Sequence, residues 1–139
     1  MNKIVIILPT LNEVKNIEKL FFLLKKIKVK LNFLFIDHGS IDGTREIINK
    51  IKKKNKKKVF IIQKNTREGI GKAHKDGLTW AYNKRYDYAV TMDTDFAQHP
   101  KYINNLLKKI KNSDMVVGSR YLKKNSFPDW SLFRIILSQ

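Results

Sequence analysis

The chain has 139 residues, with 29 Lys+Arg against 12 Asp+Glu for a formal net charge of +17, 42% hydrophobic residues and no cysteine. That is one domain's worth of chain with enough apolar content for a core, which excludes wholesale disorder and a disulfide-stapled secreted fold. The longest apolar runs, such as Ile4–Leu8 and Phe33–Ile36, fall far short of the roughly 18 residues a spanning helix needs, so no segment is expected to cross a bilayer. Met1-Asn2-Lys3, five apolar residues and Pro9 do not make the apolar region and cleavage site of a signal peptide, and a cytoplasmic location is expected. The excess charge admits a nucleic-acid binder, a protein drawn to anionic membrane, or a lysine-rich solvated surface. Lys50–Lys58 holds seven Lys in nine residues with no interleaved aromatic. It therefore reads first as a solvated face and second as a membrane-attracted one, and no nucleic-acid partner is expected.

In chain order, Lys3–Leu8 is a short apolar run that predicts a buried strand, and Val14, Ile17, Leu20, Phe21, Leu24 and Ile27 then recur at helical spacing. Leu31–Asp37 predicts a second strand, after which Asp42 is placed to cap a helix carrying Ile47, Ile48 and Ile51. Val59–Gln63 predicts a third strand, followed by a helix whose small-residue face is Ala73, Gly77, Leu78 and Ala81. Tyr88–Met92 predicts a fourth strand, Ile103, Leu106, Leu107 and Ile110 a further helix, and Met115–Gly118 a last strand. Strands alternating with helices predict an α/β fold, a mostly parallel sheet covered on both faces and joined by right-handed crossovers. No repeat, linker or boundary interrupts it, so residues 1–139 are expected to form a single domain.

In such a sheet, ligands bind beyond the carboxyl ends of the strands. There the sequence places Pro9-Thr10-Leu11-Asn12-Glu13, Asp37-His38-Gly39-Ser40-Ile41-Asp42-Gly43-Thr44, Asn65–Gly71 and Asp93-Thr94-Asp95. Asp93 and Asp95, two residues apart at an extended strand end, would point the same way and suit a hard divalent cation that bridges substrate phosphates; the alternative is a pair of solvated loop aspartates. Asp37, closing its strand, can accept hydrogen bonds from a ribose hydroxyl or a base N–H, while Asp42 and Thr44 read as structural. Gly69-Ile70-Gly71 lacks the third glycine of a dinucleotide fingerprint and reads as a helix start where backbone passes close to a ligand. His74 reads as a helix-face residue and His99, beside Pro100, as a loop histidine.

Taken in order and spacing, IILPTLNEVKNIEKL, FIDHGSIDGT, GIGKAHKDGL, TMDTDFAQHP and DMVVGSRY resemble family 2 glycosyltransferases. The resemblance is nearest to the polyprenyl-phosphate sugar transferases, typified by dolichol-phosphate mannose synthase, and FPDWSLFRIILSQ resembles that subgroup's segment after GSRY. It covers nearly the whole chain.

The resemblance implies a Rossmann-like GT-A fold, an inverting, metal-dependent transfer from GDP-mannose or UDP-glucose to a polyprenyl phosphate, and a position at the cytoplasmic membrane face. Pro9, Leu11, Glu13 and Asp37 would line the base and ribose pocket, and Asp93 and Asp95 would hold Mg²⁺ or Mn²⁺ on the diphosphate. Arg120 and Arg134 would bind the acceptor phosphate, a task suited to arginine's fork; with Asp95 they form the implied catalytic set. The alternative for Arg134 is a surface helix residue. Three departures stand out: His38 where the family has a second Asp, Ala97 where relatives carry Gln or Ser, and an end at Gln139 before the family's catalytic domain is complete. A fragment, a truncated non-catalytic nucleotide-sugar-binding module, or one half of a split enzyme with a partner supplying the rest is the corresponding expectation. In the tail, Trp130, Phe133, Ile136 and Leu137 suit either a membrane interface or packing against the sheet.

Overall fold

The computed structural model describes residues 2–119. The chain divides into two compact units, residues 1–104 and 105–139. The first contains a four-stranded parallel sheet: β1 (Ile4–Thr10), β2 (Leu31–His38), β3 (Val59–Lys64) and β4 (Tyr88–Thr91), in the order β3-β2-β1-β4. Between them run α1 (Ile17–Lys25), α2 (Thr44–Lys54) and α3 (Ile70–Asn83). The chain builds β1, β2 and β3 outward in one direction and then returns to the other side of β1 for β4. The sheet therefore has a topological switch point between the carboxyl ends of β1 and β4.

The two central strands are buried on both faces, as a continuous apolar run requires. On one face Val5, Ile7, Leu34 and Ile36 pack with Ala73 and Ala81 of α3. Small residues let α3 lie close: a Cβ built on Gly77 would stand 2.5 Å from Ile7 Cγ2 and 2.6 Å from Ile36 Cδ1. Leu78, expected on that face, is exposed at 47%, because it follows Gly77 around the helix onto the solvent side. On the opposite face Phe21 of α1 meets Phe33 edge-on at 5.1 Å and Phe35 at 6.1 Å. Helices thus cover both faces, as the alternation predicts.

Asp42 does not occupy the N-cap position of α2; Gly43 does, in the left-handed region at φ 97°. Asp42 still caps, one residue upstream, since its Oδ1 accepts from the Thr44 N–H at 3.0 Å and the Thr44 hydroxyl at 2.6 Å. Gly69, with φ 82°, opens α3 as the glycine motif predicts. A helix α4 (Ile103–Lys109) begins in the first unit, after a 3-10 turn at Pro100–Tyr102. In the second unit α4 runs into another 3-10 turn at Ile110–Asn112, and Met115–Gly118 forms no strand. Met115 and Val117 are exposed at 76% and 70%; an apolar run becomes a strand only by bonding a neighbour.

Candidate functional site

Four loops follow the carboxyl ends of the strands, and the first two are stitched together. The successive amides of Asn12, Glu13 and Val14 donate to Ser40 Oγ at 2.9 Å, Thr44 Oγ1 at 2.8 Å and Asp42 Oδ2 at 3.1 Å. Asn12, in the left-handed region at φ 56°, returns the contact by accepting from the Ile41 N–H at 3.0 Å. Asp42 and Thr44 are structural, as expected from the sequence. Pro9 is buried, Leu11 and Glu13 are half-buried, and Glu13 Oε2 accepts from Asn16 Nδ2 at 2.7 Å.

Burial works to raise the Asp42 carboxyl, but the hydrogen bonds from Thr44 and Val14 together prevail and hold it below its usual value. A carboxylate lowered by folding stabilises the fold above its unfolded pKa and ceases to do so as pH falls through the folded one. Wild type is therefore expected to lose stability more steeply than Asp42→Ala below about pH 4, measured by denaturant melts across the acid range. Parallel pH profiles would show that these bonds contribute nothing to the ionised form.

Asp37 ends β2 fully buried. Its Oδ1 accepts from the Ser40 N–H at 3.2 Å and from Arg45 Nε at 2.6 Å, while Oδ2 has no hydrogen-bond partner among the described residues. The guanidinium continues to Asn65 Oδ1 at 3.0 Å and to the Lys64 carbonyl. An arginine in the first turn of α2 thus ties the ends of β2 and β3 and compensates the buried carboxylate. Nothing in local periodicity marks Arg45. Its one sequence signal is its type, since arginine is scarce in this lysine-rich chain.

The Asp-Thr-Asp motif lies beyond the strand, because β4 ends at Thr91, and its Thr94 and Asp95 fall on a bend and not on the extended strand end expected. Thr94 is what fixes it. Buried at 3% exposure, its hydroxyl donates to the Pro9 carbonyl at 3.1 Å across the switch point. Asp93, half-buried, and Asp95, exposed, flank that anchor. Asp93 Oδ2 accepts from Gln98 Nε2 at 3.1 Å and Asp95 Oδ1 from the Ala97 N–H at 2.8 Å. Gln98, the neighbour of Ala97, therefore reaches the motif. His99 caps the 3-10 turn by accepting from the Lys101 N–H at 3.1 Å, and half-buried His74 lies within α3. Arg120 and Arg134 lie outside the described residues.

A cleft of about 520 Å³ lies at the opposite edge of the sheet, where β2 and β3 begin, lined by Phe21, Ile27, Phe33, Lys53, Lys56 and Lys58 among others. Lys50, Lys52–Lys54 and Lys56–Lys58 are all exposed. Replacing Lys53, Lys54, Lys57 and Lys58 by Gln is expected to leave nucleotide binding unchanged and to weaken binding to anionic vesicles only modestly. Each Lys held against such a surface contributes about 1 kcal/mol, so a near-complete loss in vesicle sedimentation would overturn the solvated-face reading. Among the described residues, no helix is long and apolar enough to cross a membrane.

A family model described as glycosyl transferase family 2 matches residues 5–137. The chain is 27% identical over 135 residues to a polyprenol monophosphomannose synthase of Mycolicibacterium smegmatis, covering 96% of this chain and 51% of that protein. It is 26% identical over 136 residues to an undecaprenyl-phosphate mannosyltransferase of Micrococcus luteus, covering 98% and 56%. The chain thus spans about half the length of these curated relatives. In structure it resembles a mannosyltransferase of Pyrobaculum calidifontis in complex with GDP-Man and Mn²⁺, with a TM-score of 0.70, 17% identity and coverage of 91% of this chain and 38% of that one. It also resembles TarS of S. aureus in complex with UDP-GlcNAc, with a TM-score of 0.65, 22% identity and coverage of 87% and 38%. These likenesses place the fold in the GT-A class.

Proposed function

The chain belongs to glycosyl transferase family 2, and from that membership we propose that its described loops form the donor side of a transferase acting on a nucleotide sugar and a polyprenyl phosphate. The observation that carries this reading is the Thr94–Pro9 bond, which seats Asp93 and Asp95 at the switch point of the sheet. Pro9, Leu11, Glu13 and Asp37 surround the place for base and ribose, with the unpartnered Asp37 Oδ2 as an acceptor for a ligand hydroxyl or N–H. The donor is GDP-mannose or UDP-glucose, and the mannosyltransferase names of the relatives support the former.

Asp93 and Asp95 offer the hard carboxylate oxygens that Mg²⁺ or Mn²⁺ takes, so these residues fit the ion. Bound there, the ion would neutralise charge growing on the diphosphate. The acceptor phosphate oxygen attacks the anomeric carbon from the face opposite the leaving group. The carbon–oxygen bond to the diphosphate breaks with its electron pair on the diphosphate, which inverts the anomeric centre. Because the attacking oxygen is already anionic, the step asks little of a general base and much of positive charge around the acceptor, the role proposed for Arg120 and Arg134. We place the reaction at the cytoplasmic membrane face, where a polyprenyl phosphate presents its head group, and treat residues 1–139 as the donor portion of one domain whose acceptor portion a further segment or partner supplies.

Purified chain supplied with Mn²⁺, polyprenyl phosphate and radiolabelled GDP-mannose or UDP-glucose tests this. Nucleotide binding is expected, with transfer well below the order of 1 s⁻¹ typical of complete enzymes, because misplacing an acceptor by about 1 Å costs roughly 10²-fold. Binding with no transfer at all favours the non-catalytic module. Absence of binding to either nucleotide rejects the donor side itself.

A further inference from the structure

Apart from the Asp93–Asp95 loop, the end of β2, the β3–α3 connection and α3 bring a second group of side chains together. His38 is buried at 4% exposure, and among the described residues neither ring nitrogen has a hydrogen-bond partner. Its Nε2 faces Asp76 Oδ2 at 3.5 Å. One ligand atom from each of His38, Glu68 and Asp76 lies within 4.8 Å of the others. Two ligands held about 2.0–2.2 Å from a tetrahedral ion stand about 3.4 Å apart. The His38–Asp76 spacing already meets that distance, and Glu68, on an exposed loop, has roughly an ångström to close.

A cation already occupies part of this space. Lys64 Nζ donates to Glu68 Oε2 at 2.7 Å and to Asp76 Oδ2 at 2.6 Å, and Lys72 Nζ to Asp76 Oδ1 at 2.7 Å. The ammonium groups satisfy both carboxylates, yet they leave a buried imidazole with no hydrogen-bond partner among the described residues. Buried polar groups left unpaired are rare enough to require a reason. An ion with affinity for both nitrogen and oxygen ligands supplies one.

We propose that His38, Glu68 and Asp76 form a site for a borderline divalent metal of the Zn²⁺ type, which enters by displacing the Lys64 ammonium. Imidazole suits such ions, whereas Mg²⁺ takes oxygen ligands, so this site is chemically distinct from Asp93 and Asp95. The ion would clamp the β3–α3 loop to the end of β2, one residue from Asp37. The proposal stands whether or not the chain transfers a sugar.

The test uses the whole chain, stripped with EDTA and free of nucleotide, titrated with Zn²⁺ by calorimetry and with Co²⁺ as a coloured substitute. One equivalent is expected to bind and to raise the melting temperature, as any ligand of the native state does. His38→Ala should lower Zn²⁺ affinity at least about tenfold, the scale attached even to outer-shell partners of a metal. Lys64→Met should raise affinity by removing the competitor, and Asp93→Asn with Asp95→Asn should leave it unchanged. Should His38→Ala not fold, the ¹⁵N shifts of the wild-type imidazoles give the same answer, because one nitrogen of His38 must move on Zn²⁺ addition. Unmoved His38 nitrogens, Zn²⁺ affinity that survives His38→Ala, or affinity lost with the Asp93/Asp95 pair would each overturn the proposal. So would a His38 that merely takes up a proton and pairs with Asp76 while no Zn²⁺ binds.

Discussion

Asp95→Ala is expected to lower the Mn²⁺-dependent affinity of the chain for GDP or UDP by at least about tenfold, a change of about 1.4 kcal/mol. The exposed Asp95 carboxylate flanks the Thr94 anchor and accepts one exposed bond, from the Ala97 N–H, so its loss should act mainly on the ligand and only weakly on stability. Asp42→Ala should do the reverse. It removes acceptors for Thr44 and Val14 and should cost about 1 kcal/mol of stability, on the scale of a lost helix cap, with nucleotide affinity retained. Calorimetry on both variants, with Mn²⁺ and with EDTA, separates the two roles. Equal wild-type affinity under both conditions would remove the metal from the donor site.

Gly77→Val should produce the largest stability loss of any single change considered. The added Cβ would already stand 2.5 Å and 2.6 Å from the side chains of Ile7 and Ile36, both fully buried in the central strands. Overpacking of this kind costs about 1–3 kcal/mol and sometimes more, and the second methyl of Val deepens it. A loss of about 3 kcal/mol is a large part of the roughly 5–15 kcal/mol available to a domain. Gly71→Ala is the contrasting change, since a Cβ there meets nothing within 4 Å and the helix gains up to about 1 kcal/mol of propensity. Thermal melts should move in opposite directions for the two variants. A Gly77→Val chain that melts like wild type would mean that α3 can lift off the sheet without penalty.

The four strands and the helices between them were legible because each apolar run or stripe reports its own burial. Asp37 and the Asp-Thr-Asp motif could be placed at the correct edge of the sheet from strand order alone. What stayed hidden depends on residues distant in sequence. Arg45 meets Asp37 and the Lys64 carbonyl only after β2 and β3 pair, and Thr94 finds Pro9 only after β4 has crossed to the far side of β1. Asp42 was recognised as a cap but assigned one position late, because the left-handed Gly43 takes the N-cap itself. Met115–Gly118 carried the composition of a strand, but composition cannot supply a bonding neighbour. His38 was visible as a departure from the family pattern, while its approach to Asp76 on α3 was not.

The stitching of the first two loops also bears on how the proposed donor side could meet a diphosphate. Many phosphate sites cup the anion in a run of free backbone N–H groups. Here three successive amides, Asn12, Glu13 and Val14, are each already committed to a side chain of the next loop. That run cannot serve as an anion cradle unless the loops come apart. If the chain binds a nucleotide sugar as proposed, the charge of its diphosphate would be met elsewhere than on this run, and nucleotide affinity is expected to depend on ionic strength and on divalent cation.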